Sequence, residues 1–307
     1  MKRYPCSIMA TCCVPWDADG QLLEAVFRRE IANMLAQGTS HLYIFGTAGE
    51  GYAVTERQFD RVVDVFADEM RKAAAEPMVG AISLSLPTVI ERIARCRDRG
   101  ITRFQISLPA WGALNDRELF DFFRQTCARF PDCQFLHYNL MRTKRLVSPA
   151  EYGRLAEEHP NLVATKNSTE SIRTIQGLIE KAPQLQHFLT EIGYAYGSLL
   201  GECGLLASLV NSWPKLRQLF EAGRKRDVET LVSLQREIGE VLDGLFAVVG
   251  DEAHIDPAFD KIFARMHDPE FPLRLLPPYA SAGEERYQRL VELFASRFPA
   301  WLPATQR

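Results

Sequence analysis

The run Asn161-Leu162-Val163-Ala164-Thr165-Lys166-Asn167 is apolar almost to its end, where it meets a lysine. Such a run after a helical stretch reads as a buried parallel strand. A lysine at its carboxyl end projects where water is scarce. Desolvation disfavours the ammonium and lowers its pKa, and a neutral amine attacks a ketone carbon to give a Schiff base. Lys166 is therefore a candidate imine-forming residue; the alternative is an ordinary solvated lysine at a strand end. A second segment, Gly46-Thr47-Ala48-Gly49-Glu50-Gly51, also follows an apolar run. Its glycines are expected to turn the backbone and expose amide N–H groups, which with the Thr47 hydroxyl would form a nest for a carboxylate. A plain strand-to-helix turn would use the same glycines. Tyr138, in His137-Tyr138-Asn139, brings either a phenol for acid–base work or a core tyrosine with its hydroxyl tipped outward. A carboxylate nest, a phenol and an amine together are the parts needed to bind and activate a 2-oxo acid.

These residues need a scaffold that brings strand ends together. Strands are expected at 7–13, 41–46, 78–84, 103–108, 134–138, 162–166, 186–190 and 204–209. Helices are expected at 21–37, 55–74, 86–98, 115–129, 148–158, 170–182, 194–201 and 213–225. Thr55 before Glu56, Asn115-Asp116, and Ser148-Pro149 mark helix starts. Eight strands alternating with eight helices fit a closed (β/α)8 TIM barrel over 1–225. An open doubly wound sheet would carry a glycine-rich turn after its first strand, where this chain has Val14-Pro15-Trp16-Asp17. From 226 to 307 the pattern is helical only, at 228–247, 256–267 and 284–297, with Pro277-Pro278 as a breaker. That part is expected as a C-terminal helical extension packed on the barrel as one unit. In a barrel of this type chemistry gathers at the carboxyl ends of the strands, which places the turn from Gly46, Tyr138-Asn139, Lys166-Asn167-Ser168 and Asn211-Ser212 at one mouth.

Bulk composition narrows the function classes. Of 307 residues, 47% are apolar and 24% charged, the balance of a globular protein with a full core. A net charge of −3 gives no general attraction for nucleic acid or an anionic membrane, and no apolar stretch is long enough to span a bilayer. The start has no convincing signal-peptide core, because Trp16, Asp17 and Asp19 interrupt it. Seven cysteines without CxxC spacing argue for reduced, packed thiols and a cytoplasmic protein. Cys12 and Cys13 are adjacent, so in a strand they face opposite ways and form no metal pair.

With these residues in place, the chain resembles the dihydrodipicolinate synthase and N-acetylneuraminate lyase family of class I aldolases and lyases. Gly46-Thr47-Ala48-Gly49-Glu50 looks like the family's GTTGE or GSTGE loop, Tyr138-Asn139 like the start of its YNxP motif, and Lys166-Asn167-Ser168 like its K-D/N-S motif. The likeness runs from Val14-Pro15-Trp16 to the last helices. It implies that Lys166, Tyr138 and Thr47 are catalytic: Lys166 as imine former, Tyr138 as proton shuttle, and Thr47 as a link between Tyr138 and a further hydroxyl or solvent. Thr47, Ala48, Gly49, Glu50, Trp111, Arg142 and Leu206 would contact substrate, the N–H groups of Thr47 and Ala48 holding the carboxylate. It implies a small-molecule 2-oxo acid as substrate, no metal or organic cofactor, and a homo-oligomer, dimer or tetramer. Four departures bear on specificity. Ala48 lacks a hydroxyl common there. Trp111 stands where synthases have a relay tyrosine, and an indole cannot relay a proton. Met141 replaces the motif's proline. Arg142 and Arg145 flank the place of an arginine that grips the second substrate. These changes point away from the lysine-pathway synthase, which stays an alternative, and toward another aldehyde acceptor or dehydration of a 2-keto-3-deoxy sugar acid; the Trp111 and Met141 changes also fit a non-catalytic 2-oxo-acid-binding member of the same fold. Glu191 is either a ligand for sugar hydroxyls or a surface glutamate.

Overall fold

The computed structural model describes residues 2–210 and 212–303, apart from the side chain at 252. Asn211, expected beside the last strand, lies outside the described residues. The strands β1 (Ile8–Thr11), β2 (Leu42–Ile44), β3 (Met78–Gly80), β4 (Arg103–Ile106), β5 (Gln134–Asn139), β6 (Leu162–Asn167), β7 (Gln186–Leu189) and β8 (Gly204–Ala207) close in sequence order into a barrel. Every neighbouring pair is parallel, and β8 returns to β1 through Ile8↔Leu205 and Ala10↔Ala207. The fold is thus a (β/α)8 TIM barrel with C-terminal helices.

The helices that follow are α1 (Glu24–Ala36), α2 (Glu56–Lys72), α3 (Leu86–Asp98), α4 (Asp116–Thr126), α5 (Pro149–Glu158), α6 (Ile172–Lys181), α7 (Glu191–Leu200) and α8 (Trp213–Lys225). Several strands are shorter than their apolar runs. β1 stops at Thr11 and β3 at Gly80, because tilted strands of a small barrel share only a few paired positions. The residues beyond run on as the loops of the mouth. Thr55, Asn115 and Ser148 cap α2, α4 and α5 in full capping boxes with Gln58, Glu118 and Glu151. α7 starts at Glu191, three residues earlier than its pattern suggests. Gly193 masks the start, yet it is a packing requirement, since a Cβ there would sit 2.7 Å from the Thr169 carbonyl oxygen.

Past the barrel come α9 (Val228–Val249), α10 (Asp256–His267) and α11 (Gly283–Arg297). α9 lies against α7 and α8, and one hydrophobic core runs from the barrel helices through α9–α11. Inside the barrel a separate apolar cluster holds Tyr4, Met9, Tyr43, Met78, Leu136, Phe188 and Leu206. Among the described residues no helix is long and apolar enough to cross a membrane. All seven cysteines are free thiols, six of them buried.

One irregularity sets the site. Between β5 and β6 the register slips by a residue: Phe135 pairs with Leu162, but Leu136 pairs with Ala164. The slip leaves Val163 as an extra residue and brings Tyr138 directly opposite Lys166. Because side chains alternate between faces, a one-residue shift decides which residues point inward.

Candidate active site

A cavity of about 340 Å³ opens at the carboxyl ends of the strands, lined among others by Thr11, Tyr43, Ala48, Tyr138, Lys166 and Leu206. α10 closes one side with Asp256 and Asp260, and α9 adds Leu242, Leu245 and Phe246. A second cavity adjoins it at Tyr138, Ser168 and Asp256 and reaches Met141 and Arg142.

Lys166 is 6% exposed. Its Nζ donates to the Tyr43 hydroxyl at 2.8 Å and lies 3.8 Å from the centroid of the Tyr138 ring, against its π face. The Tyr138 hydroxyl itself makes no hydrogen bond to a described residue and faces the cavity. Burial works to lower the Lys166 pKa. The oxygens of Tyr138 and Tyr43, the hydrogen bond to Tyr43 and the Asp256 carboxylate outweigh it and hold the ammonium above the ordinary lysine range. This direction is opposite to the lowering expected from desolvation alone.

The turn after β2 differs from its expected geometry. Left-handed φ falls on Phe45 (61°) and Glu50 (57°), not on Gly46 or Gly49. The glycines serve close approach: a Cβ on Gly46 would meet the Tyr43 ring at 2.7 Å, and one on Gly49 would meet the Phe45 nitrogen at 2.5 Å. Gly49 accordingly lies against the Phe45 backbone and not on the cavity wall. The N–H groups of Thr47 and Ala48 take no acceptor among the described residues, which leaves two donors for an anion. Ala48 faces the cavity. The Thr47 hydroxyl is 3.5 Å from Arg142 Nη1 and makes no bond to Tyr138, so the expected Thr47–Tyr138 link is absent among the described residues.

Two other expected substrate contacts line neither cavity. Glu50 is fully buried and takes Trp16 Nε1 at 2.9 Å, the Leu276 N–H at 2.6 Å and the Lys261 ammonium at 2.5 Å. Held by these three donors and lining neither cavity, it ties the turn to the C-terminal helices. Trp111 is 84% exposed on the β4–α4 loop and lines neither cavity of this chain. Arg142 reaches the outer cavity, with Nη2 2.8 Å from Asp256 Oδ1. Arg145 is tied to the β4–α4 connection by the Leu114 carbonyl and Asp116 and to α5 by Glu151. Leu206 lines the inner cavity.

Sequence reasoning missed Tyr43, which reads as one more aromatic in an apolar strand; only strict alternation from the inward-facing end of β2 could have singled it out. It left Glu191 open. The carboxylate is buried at the start of α7, taking the N–H groups of Ser208 and Leu209 and the Ser208 hydroxyl, while also lining the cavity. Two further acids line this wall: burial pushes the Glu30 carboxyl up to about 8 and holds the Asp260 carboxyl well above the carboxylate range.

The 4-hydroxy-tetrahydrodipicolinate synthase of Thermus thermophilus is 26% identical over 202 residues, 64% of this chain and 66% of that enzyme. The enzyme of the same name from an Exiguobacterium species is 25% identical over 285 residues, 91% of this chain and 94% of its own. In fold, the chain is similar to the E. coli K12 prophage protein YagE, solved with pyruvate, at a TM-score of 0.85 and 18% identity, covering 94% and 97% of the two chains. Proteus mirabilis N-acetylneuraminate lyase superposes at 0.81 and 16% identity, covering 96% and 99%. Residues 5–295 match the Dihydrodipicolinate synthetase family, and the chain belongs to that family of lyases.

Proposed function

We propose that this chain is a Schiff-base-forming lyase or aldolase acting on pyruvate or a 2-keto-3-deoxy sugar acid. The observation that carries the reading is the place of the Lys166 amine: buried on the cavity wall, within hydrogen-bond reach of one phenol and against the face of another. The substrate carboxylate would sit on the free N–H groups of Thr47 and Ala48, presenting its keto carbon to Nζ. Condensation expels water and leaves an iminium. That iminium draws the electron pair from a bond broken at the adjacent carbon, and the Tyr138 phenol exchanges the proton that accompanies cleavage, condensation or dehydration. The chemistry is complete with the chain's own groups.

Two features favour a sugar-derived acid over the synthase reaction. Trp111 is exposed and has no acidic proton to relay, and Arg142 is already paired with Asp256. The wall beyond Lys166 offers the hydroxyls of Ser168, Thr190 and Ser208, which suit a polyhydroxylated tail. A homo-oligomer working in the cytoplasm belongs to the same reading, and the free thiols fit it.

The test is reductive trapping. Borohydride added with pyruvate or with 2-keto-3-deoxy acids should fix one substrate on Lys166 as a secondary amine, its mass less one oxygen, and Lys166→Ala should abolish both the adduct and turnover. If no 2-oxo acid leaves an adduct, the reading fails.

A further inference from the structure

We propose that Tyr43 is the phenol that serves imine formation at Lys166, so that two phenols divide the reaction, Tyr43 at the amine and Tyr138 at the carbon–carbon step. The inference rests on the imine reading and adds to it the assignment of a second acid–base group. Its basis is geometric. The Tyr43 hydroxyl is the hydrogen-bond partner of Nζ, at 2.8 Å, whereas Tyr138 offers that nitrogen only its ring face. The Tyr138 hydroxyl is left free on the cavity wall, available to the substrate. The fold makes deliberate room for Tyr43. It enters from β2, across the barrel from β6, and Gly46 leaves the space its ring fills, where any Cβ would collide with it. The Gln105 amide borders the same space and has no protein partner among the described residues.

The proton balance gives this phenol a task. Conversion of an ammonium and a ketone into an iminium and water moves two protons from nitrogen to the departing oxygen and needs no net acid or base. Nζ must nevertheless lose one proton before it can attack. Tyr43 Oη accepts that proton from Nζ as its own O–H proton passes to the substrate oxygen, leaving the phenol neutral. The second nitrogen proton follows by the same route as the carbinolamine expels water, and the C–O bond breaks as the C=N bond forms. Tyr138 need not act until the imine exists.

Tyr43→Phe keeps the ring that packs on Gly46 and removes only the oxygen. Stopped-flow or quenched borohydride trapping with pyruvate should be at least tenfold slower in this variant. Its pH profile should move to lower pH, because the Tyr43 oxygen is one of the groups that hold the Lys166 proton. The other titratable groups on that wall, Cys13, Glu30, Glu170, Glu191, Asp256 and Asp260, are unchanged in the comparison. Tyr138→Phe should show the reverse pattern, with trapping within about threefold of wild type but turnover reduced a hundredfold or more. Because Tyr43→Phe could disturb the barrel, 3-fluorotyrosine at position 43 gives a second readout. It preserves the shape, and with its more acidic phenol it should retain trapping while shifting the pH profile. Trapping by Tyr43→Phe within twofold of wild type and with the same pH profile would overturn the assignment while leaving the imine intact. Absence of any adduct on the wild-type protein would overturn both readings.

Discussion

Ala48 is the residue of the turn after β2 that faces the cavity, and it presents a methyl group beside two unpaired N–H donors. A carboxylate held there by backbone alone lacks one donor that a serine hydroxyl would supply. Ala48→Ser should therefore tighten pyruvate, measured as the concentration that half-saturates trapping, by roughly fivefold, the worth of one added hydrogen bond of about 1 kcal/mol. An unchanged or weaker half-saturation would move the carboxylate site elsewhere. At this scale the sequence reveals groups whose surroundings are local. Lys166 and Tyr138 end apolar runs, so their burial is legible from their neighbours. Glu50 sits in the same recognisable loop as Thr47, and nothing local reveals that Trp16, Lys261 and Leu276 converge on it. The direction of the Lys166 shift is hidden from the sequence for a related reason. Its burial can be inferred from the run, but Tyr43, which helps hold its proton, arrives from a strand more than a hundred residues away.

Elements decide where those groups point, and two devices do most of it. The slip at Val163 sets Tyr138 beside Lys166, and the Glu50–Lys261 pair fixes the β2 turn to α10. Both side chains of that pair are fully buried, and burial pushes the Lys261 ammonium below its ordinary range while Glu50 opposes the shift. Removing one partner of a buried pair leaves the other charge uncompensated, at a cost of about 3–5 kcal/mol. Glu50→Gln should lower the unfolding free energy by up to that amount, less if Lys261 sheds its proton. Glu50→Gln with Lys261→Met should recover part of it, and half-saturation by pyruvate in the folded fraction should stay within about twofold. A tenfold rise in half-saturation with stability intact would return Glu50 to the substrate. The order of strands and helices was readable because caps and apolar runs are local signals: α8 and α10 start and end as their patterns indicate. The register slip was not, because pairing between β5 and β6 depends on two strands at once and Val163 looks like any other residue of its run.

The whole chain carries buried groups that tilt its stability with pH in opposite directions. His187 sits between barrel and helices, its Nδ1 2.8 Å from the Thr165 hydroxyl and its Nε2 3.0 Å from the Ala182 carbonyl oxygen. Nε2 is therefore the N–H donor, and Nδ1 accepts from Thr165. Burial lowers its pKa from 6.5 to about 4 and lowers that of His137 to about 3. A depressed histidine stabilises the fold fully above pH 6.5, and that contribution is lost as pH falls through the window down to about 4, at about 1.4 kcal/mol per pH unit. Glu30 works the other way. Its pKa is raised from 4.5 to about 8, so its contribution is complete below pH 4.5 and is lost as pH rises toward 8. Between pH 5 and 6.5 the two slopes oppose each other, and a pH scan of the wild type would conceal both. Variants separate them. His187→Gln should destabilise the protein at pH 6.5 by the loss of its two hydrogen bonds, and this deficit relative to wild type should shrink by roughly 2 kcal/mol by pH 5, because glutamine has no proton to take up. Over the same interval read upward, Glu30→Gln should gain a similar amount on wild type. Urea unfolding of the three proteins at both pH values measures these differences, and pH-independent gaps would mean that neither group is held in its neutral form by the fold.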